Sequence, residues 1–181
     1  MRVTRYPYDV PGWGGGEIWV RDGIVIQHEL ASEELRAASS GSGDGSASST
    51  GLPAGTVPGT SVQLCAEIVS DLCRRIEAHL AGARTSYDGV VVDLDWATPL
   101  QRELAAAARA IPWGEVVSYG ELAVLAGRPG AARAAGSFCA DNRYSLIIPC
   151  HRVVAANGIG GYGAAGLVLK RRLLALEGVH L

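Results

Sequence analysis

No stretch of this sequence approaches the ~20 consecutive apolar residues that a membrane-spanning helix requires, so no membrane span is expected. Its four cysteines, Cys65, Cys73, Cys139 and Cys150, contain no C-x-x-C pair, which excludes zinc-ribbon and dithiol redox motifs. Cys65 and Cys73 stand eight residues apart in one predicted helix. The corresponding rise of ~12 Å is too long for a disulfide, whose Cα atoms lie within ~7 Å. His28, His79 and His180 show no ligand spacing with one another or with the cysteines, so no metal and no cofactor are expected. After Met1-Arg2-Val3-Thr4-Arg5 comes a mixture of Pro, Gly and Trp, not an apolar run ending in a cleavage site; a cytoplasmic protein with reduced thiols is the expectation. A strong net charge is also lacking, at −2 over 181 residues. Its distribution is uneven, however: residues 1–98 carry 7 basic and 13 acidic side chains, residues 99–181 carry 9 and 5. A basic second half suits contact with a polyanion, with the acidic half turned away.

The pattern predicts two parts, a small α/β half over 1–95 and a mostly helical half over 96–181. Residues 2–8 read as a strand, Pro11-Gly12-Trp13-Gly14-Gly15-Gly16 as a loop, and 17–20 and 24–28 as a hairpin about Arg21-Asp22-Gly23. The tract 37–60, rich in Ser, Gly, Ala, Thr and Pro, reads as a mobile loop, because it offers too little apolar surface to offset its ordering entropy. A helix is predicted over 61–80 and a further strand over 89–94. In the second half, Thr98-Pro99 opens a helix that Pro112-Trp113-Gly114 ends. Ser118 with Glu121 forms a capping box for a helix over 119–125. Gly127-Arg128-Pro129-Gly130 turns the chain into a second short helix, about 130–139, as in a helix-turn-helix. The apolar run 146–148 reads as a strand ending at Cys150, followed by a Gly-rich loop over 157–166 and a last helix over 167–177. The fold class is therefore α+β: a small antiparallel sheet with a helix, then a helical part containing a helix-turn-helix.

Pro149-Cys150-His151-Arg152-Val153 holds the densest chemistry. A thiol with a base and a cation beside it can be held as thiolate near neutral pH, and the thiolate is the nucleophile. Equally, free cysteine is among the most buried residue types, so a structural cysteine fits the same residues. If Cys150 and His151 lie on one strand their side chains face opposite ways, and a local turn or a water must connect them. Ala131-Ala132-Arg133-Ala134-Ala135-Gly136-Ser137 is nearly bare of side-chain bulk. Such a helix either packs closely on another or enters a DNA groove. The minor groove, ~6 Å wide, admits only a trimmed helix, and Arg133 would then fill the space of an extruded base. Tyr119 fits either a half-buried core position or a phenol that hydrogen-bonds a substrate. Glu177 fits either a surface carboxylate or the group that orients His151.

Taken together, these segments resemble the O6-alkylguanine-DNA alkyltransferases (methylated-DNA–protein-cysteine methyltransferases). The likeness is carried by Pro149-Cys150-His151-Arg152-Val153, by Ile111-Pro112-Trp113-Gly114-Glu115 with Ser118-Tyr119, and by Ala132-Arg133-Ala134-Ala135-Gly136 and Asn142. Gly161-Tyr162-Gly163 and Gly166-Leu167, with Lys170, Leu173-Leu174 and Glu177-Gly178, complete the order over about 98–181. The resemblance implies that Cys150 accepts the alkyl group, that His151 deprotonates it through a water and that Glu177 orients His151. It implies that Asn142 ties the turn unit to the acceptor segment, that Tyr119 donates to the flipped guanine and that Arg133 fills the vacated stack. Arg128, Ala132, Ala134, Gly136 and Ser137 would then face DNA, and Tyr162, Gly163, Val153 and Cys139 would wall the pocket. Three departures stand out. The family's Asn-Pro is here Asn142-Arg143-Tyr144-Ser145, which removes a rigidifying proline. An aromatic pair early in the helix after Pro99 is replaced by Leu100 and Ala105. Gly163-Ala164-Ala165-Gly166 has no hydroxyl, leaving contact with the departing oxygen to backbone N–H.

The expectation is a single-use DNA repair protein: a monomer that binds double-stranded DNA through the minor groove, without membrane or cofactor. Its rivals are a lesion-binding protein that accepts no alkyl group and a cysteine hydrolase that ignores DNA.

Overall fold

The computed structural model describes residues 3–32 and 60–181. Apart from Thr60, the tract expected to be a mobile loop lies outside the described residues. Three strands, β1 (Val3–Val10), β2 (Gly14–Arg21) and β3 (Ile24–Ser32), form an antiparallel sheet in that order. Asp22 and Gly23 turn β2 into β3 with φ of +50° and +81°, the two left-handed residues that a tight hairpin turn needs. The loop expected over 11–16 is shorter: Gly14, Gly15 and Gly16 are already strand, paired with Val10, Asp9 and Tyr8. Gly16 is glycine for a reason of space, since a Cβ there would run into the Tyr8 ring and come 2.8 Å from the Glu29 carbonyl oxygen.

Helix α1 (Thr60–Leu80) buries Val69, Leu72, Ile76 and Leu80, one stripe at helical spacing, in the core shared with the sheet. The strand expected over 89–94 is reduced to a single parallel bridge between Val92 and Val25. Its neighbours bond to the same strand residue, Val25 N to Val91 O at 3.0 Å and Asp93 N to Val25 O at 2.9 Å. It stops there because Asp93 is taken up by Arg21 and the chain turns at Asp95 and Trp96.

Helix α2 (Pro99–Arg109) starts from a Thr98–Gln101 capping box and buries Leu104, Ala105 and Ala108. A two-residue strand, β4 (Val117–Ser118), leads into α3 (Tyr119–Leu125), capped by Ser118 and Glu121 as expected. Gly127 and Gly130, at φ of +71° and +89°, carry the chain into α4 (Ala132–Ala140), which packs on α3. The strand expected before Cys150 is absent. Ile147 N donates to Ser145 O and Ile148 N to Tyr144 O, both at 2.8 Å, and Leu146 sits at φ +65°, so residues 145–148 are a buried turn. Cys150–Arg152 follows as one 3₁₀ turn, and only then comes β5 (Val153–Val154), parallel to β4. Leu146, Ile147 and Ile148 are each 2 % exposed or less. A short apolar run reports burial, and periodicity cannot say that the buried conformation is a strand. After a 3₁₀ turn at Gly163–Ala165, helix α5 (Gly166–Leu176) closes the chain and buries Lys170, Leu173 and Leu174. Among the described residues no helix is long and apolar enough to cross a membrane.

Candidate active site

The 3₁₀ turn settles the geometric question posed by adjacent Cys150 and His151: both are buried, at 4 % and 0 % exposure, and they leave a tight turn, not a strand. Among the described residues the sulfur has one side-chain hydrogen-bond donor, Asn142 Nδ2 at 2.9 Å, and the same amide also donates to Ile148 O at 2.9 Å. Asn142 Oδ1 accepts from Tyr144 N at 3.1 Å, so the amide orientation is fixed from both ends. Burial pushes the Cys150 thiol up to about 11, against the opposing pull of Asn142 and of the Lys170 ammonium. The expected thiolate at neutral pH is therefore overturned: at rest this group is a thiol. The reason is placement. Burial is the largest cause, and the Arg152 guanidinium is committed elsewhere.

That elsewhere is Glu177, just past the end of α5 and buried. Arg152 Nε and Nη2 donate to its two carboxylate oxygens at 2.9 and 2.8 Å, while Nη1 donates to Ile111 O at 2.7 Å. Gly114 N donates to Glu177 Oε2 at 3.1 Å and His151 Nε2 to Oε1 at 2.9 Å. Burial alone would raise the Glu177 carboxyl, but contacts from His151, His79 and Arg152 outweigh it and hold the group far below the usual carboxylate range. Because an ionised carboxylate only accepts, the proton of neutral His151 sits on Nε2. Its Nδ1, buried and with no hydrogen-bond partner among the described residues, is left as the free base. Burial lowers His151 to about 4, so the imidazole is neutral at rest.

His79 is the residue that sequence reasoning passed over. It comes from α1 in the first half, is fully buried, sets its ring at 59° to that of Trp113 with centroids 4.7 Å apart and places Nε2 3.5 Å from Glu177 Oε1. That distance exceeds a well-formed hydrogen bond, and the ring acts as an electrostatic neighbour. His79, His151 and Glu177 bring possible ligand atoms within 4.8 Å of one another. Two guanidinium donors already occupy the carboxylate, however, so the cluster is a hydrogen-bonded charge network. No local signal could have found His79, since its partner lies 98 positions away.

A cavity of about 510 Å³ opens beside the sulfur, lined by Cys139, Ala140, Asn142, Ser145, Cys150, Tyr162, Gly163 and Leu169, and on its far side by Gln27, His28, Glu29 and Leu30 of β3. Cys139, Tyr162 and Gly163 thus line this cavity. A Cβ on Gly163 would sit 2.8 Å from the Ala140 carbonyl oxygen at φ +48°, so glycine is needed for the loop to pass α4. Val153 does not line the cavity: it is fully buried, and its carbonyl accepts from Lys170 Nζ at 2.5 Å, which also donates to Gly161 O at 3.0 Å. Tyr119, at the start of α3, is also outside the lining and half-buried. A Cβ on Gly160 would come 2.8 Å from its hydroxyl, so the Gly-rich loop lies directly over the phenol. Burial raises that phenol, partly offset by a backbone hydrogen bond from Gly161. On α4, Arg133 and Ser137 are exposed, Ala132, Ala134 and Gly136 partly so. Arg128 is not a free cation: Nε and Nη2 donate to the two Glu103 oxygens at 2.7 and 2.8 Å.

Residues 99–179 match the family model for the DNA-binding domain of 6-O-methylguanine DNA methyltransferase. Over its whole length the fold matches the crystal structure of Mycobacterium tuberculosis O6-methylguanine methyltransferase, at 30 % identity and a TM-score of 0.69, covering 97 % of this chain and 93 % of that one. The chain belongs to the O6-methylguanine-DNA methyltransferase family. Among curated members, the methylated-DNA–protein-cysteine methyltransferase of Salmonella typhimurium is 52 % identical over 85 residues, 46 % of this chain and 49 % of that protein. The Mycolicibacterium paratuberculosis methyltransferase is 44 % identical over 108 residues, 59 % and 63 % of the two chains. The matched segment thus spans about half the length of the Salmonella relative. Another solved structure, the M. tuberculosis methyltransferase in complex with DNA, matches at 30 % identity and a TM-score of 0.69 over 96 % of this chain and 92 % of that one.

Proposed function

We propose that this chain takes an alkyl group from the O6 oxygen of guanine in duplex DNA onto its own Cys150, once per molecule. The observation that carries the reading is the Cys150 thiol at a cavity, held by Asn142 and next to a His151 whose tautomer Glu177 dictates. The thiol proton passes to His151 Nδ1 through a water, and Glu177 stabilises the imidazolium that forms. Sulfur attacks the alkyl carbon in line as the carbon–oxygen bond breaks. Charge develops on the departing guanine, which regains a proton from Tyr119, and the proton that left the sulfur returns through solvent to restore the phenol. The product is a neutral thioether with no easy return, which makes the protein single-use.

The target atom is out of reach inside a duplex, so the base is extruded. In this reading α4 enters the minor groove with Ala132, Ala134, Gly136 and Ser137 against the backbone, Arg133 replaces the extruded base, and Arg128 reaches phosphate only by leaving Glu103. Tyr162, Gly163 and Cys139 wall the pocket. Residues 96–181 serve as the acceptor and DNA-binding part and 1–95 as its support, in a monomer of the cytoplasm.

Incubation with a duplex carrying a single O6-methylguanine tests this. One methyl replaces one hydrogen on the Cys150 peptide, in a yield that stops at one per protein. Binding with no mass gain would favour a lesion binder, and repeated turnover of a small ester a hydrolase. A second measurement concerns Arg133. Arg133→Ala should slow methyl transfer from duplex DNA about tenfold or more, while reaction with the free base O6-benzylguanine stays within twofold of wild type, in line with the loss of one intercalating side chain. Equal slowing of both would remove the extrusion role.

A further inference from the structure

The loop in front of the acceptor lacks the proline that would stiffen it, yet β3 grips it from outside. His28 N donates to Arg143 O at 2.8 Å, and the His28 ring donates from Nδ1 to Ser145 O at 2.6 Å. A carbonyl only accepts, so Nδ1 carries the proton and Nε2 accepts from the Tyr8 hydroxyl at 2.7 Å. The two gripped carbonyls flank Tyr144, which forms a parallel bridge with His28, is 1 % exposed and gives its phenol hydrogen to Asp93 O. Arg143 lies over the Trp96 ring at 4.8 Å. Immediately before this clamp stands Asn142, whose oxygen accepts from Tyr144 N and whose nitrogen donates to the sulfur. Immediately after it stands Leu146, a non-glycine residue at φ +65°, a conformation that persists only where its surroundings impose it.

We propose that His28 is a positioning residue for the acceptor: from the first-half sheet, it fixes the carbonyls of Arg143 and Ser145 so that the Asn142 amide points at Cys150 Sγ. The sulfur's one side-chain donor thus depends on a side chain more than a hundred positions away. The histidine suits the task because it is 2 % exposed and stays neutral, burial holding it down to about 4, so its donor and acceptor sides do not exchange over the physiological range. With the ring donor removed, the Ser145 carbonyl keeps its bond from Ile147 N but loses its tie to β3, the loop gains freedom that no proline restrains, and Asn142 stops favouring negative charge on sulfur.

The alkyl donor, though not the clamp, rests on the function proposed above, and the test separates the two. His28→Leu keeps the backbone bond to Arg143 and loses the ring donor; His28→Asn restores a donor close to the Nδ1 position. Two rates are read at a temperature where all forms are folded. One is single-turnover methyl transfer at saturating methylated duplex, alongside DNA affinity; the other is alkylation of the Cys150 peptide by iodoacetamide across the alkaline range. The titratable groups that act on the sulfur electrostatically, Cys139, Tyr162, Lys170 and Tyr119, are common to every variant. His28→Leu should slow transfer roughly five- to tenfold, as expected for one lost hydrogen bond, with DNA affinity unchanged and the iodoacetamide profile moved to higher pH. His28→Asn should recover most of both. Wild-type transfer rate and profile in His28→Leu, whatever its melting temperature, would overturn the proposal. If the wild-type protein takes no methyl from DNA but the iodoacetamide profile still shifts, the function reading falls and the His28 role stands.

Discussion

Cys150→Ala should abolish methyl transfer while binding to the methylated duplex survives, measured as mass gain on tryptic peptides and as DNA affinity on the same sample. On the proposed function the loss is complete because the sulfur is the acceptor itself, whereas binding would draw on α4 and the charge of the second half. Removing one buried sulfur changes little else: Asn142 keeps its bond to Ile148 O and to Tyr144 N. Cys139 is the other thiol at the cavity, and residual transfer would move the acceptor there. It is a poor substitute, since burial raises it to about 12. The pH dependence of the wild-type reaction with free O6-benzylguanine checks the route. With His151 near 4 and Cys150 near 11, the neutral thiol–imidazole pair is the ground state over the whole interval. Passing a proton from one to the other leaves the total protonation unchanged, so the rate should be flat between those limits and fall below the lower one. A thiolate formed independently of His151 would instead give a rate rising roughly tenfold per pH unit.

Glu177→Ala should destabilise the fold by about 3–5 kcal/mol in urea unfolding, the usual cost of stripping the partner from a buried ion. Arg152, whose side chain is 9 % exposed, would keep its charge with only Ile111 O to receive it. Glu177→Gln, closer in shape, is expected to fold and to slow transfer about 10²-fold, since a neutral amide stabilises the His151 imidazolium less. The same network sets acid sensitivity. His28 and His151 bind protons more weakly folded than unfolded, so the unfolded chain gains protons first and stability falls as pH drops from 6.5 toward about 4. Glu177 is also depressed, so its contribution is present above 4.5 and declines as pH falls further. Urea midpoints should therefore drop in two stages, and Glu177→Gln should lose the lower one.

The helix start at Thr98-Pro99, the Ser118 capping box, the Asp22-Gly23 turn and the amphipathic stripe of α1 were legible because each is a local rule acting within about four residues; the Thr98–Gln101 box was not read from the sequence. The motif Pro149-Cys150-His151-Arg152-Val153 was legible as chemistry but misleading as electrostatics. Adjacent letters suggested that Arg152 and His151 charge the thiol, while the fold turns Arg152 toward Glu177 and buries the sulfur enough to raise it. The 146–148 run was read as a strand and is a buried turn, because a turn held by Tyr144 and His28 is invisible to periodicity.

The order of residues alone thus decided the helices, the Ser118 cap and the family, and singled out Asn142, Cys150, His151 and Glu177 as candidates. Tertiary structure alone decided the charge states and the contribution of the first half. His28 and His79 reach the acceptor loop and the Glu177 network across more than ninety positions. Protonation depends on which dipoles and ions surround a group after burial, and in this chain most of those neighbours are distant in sequence.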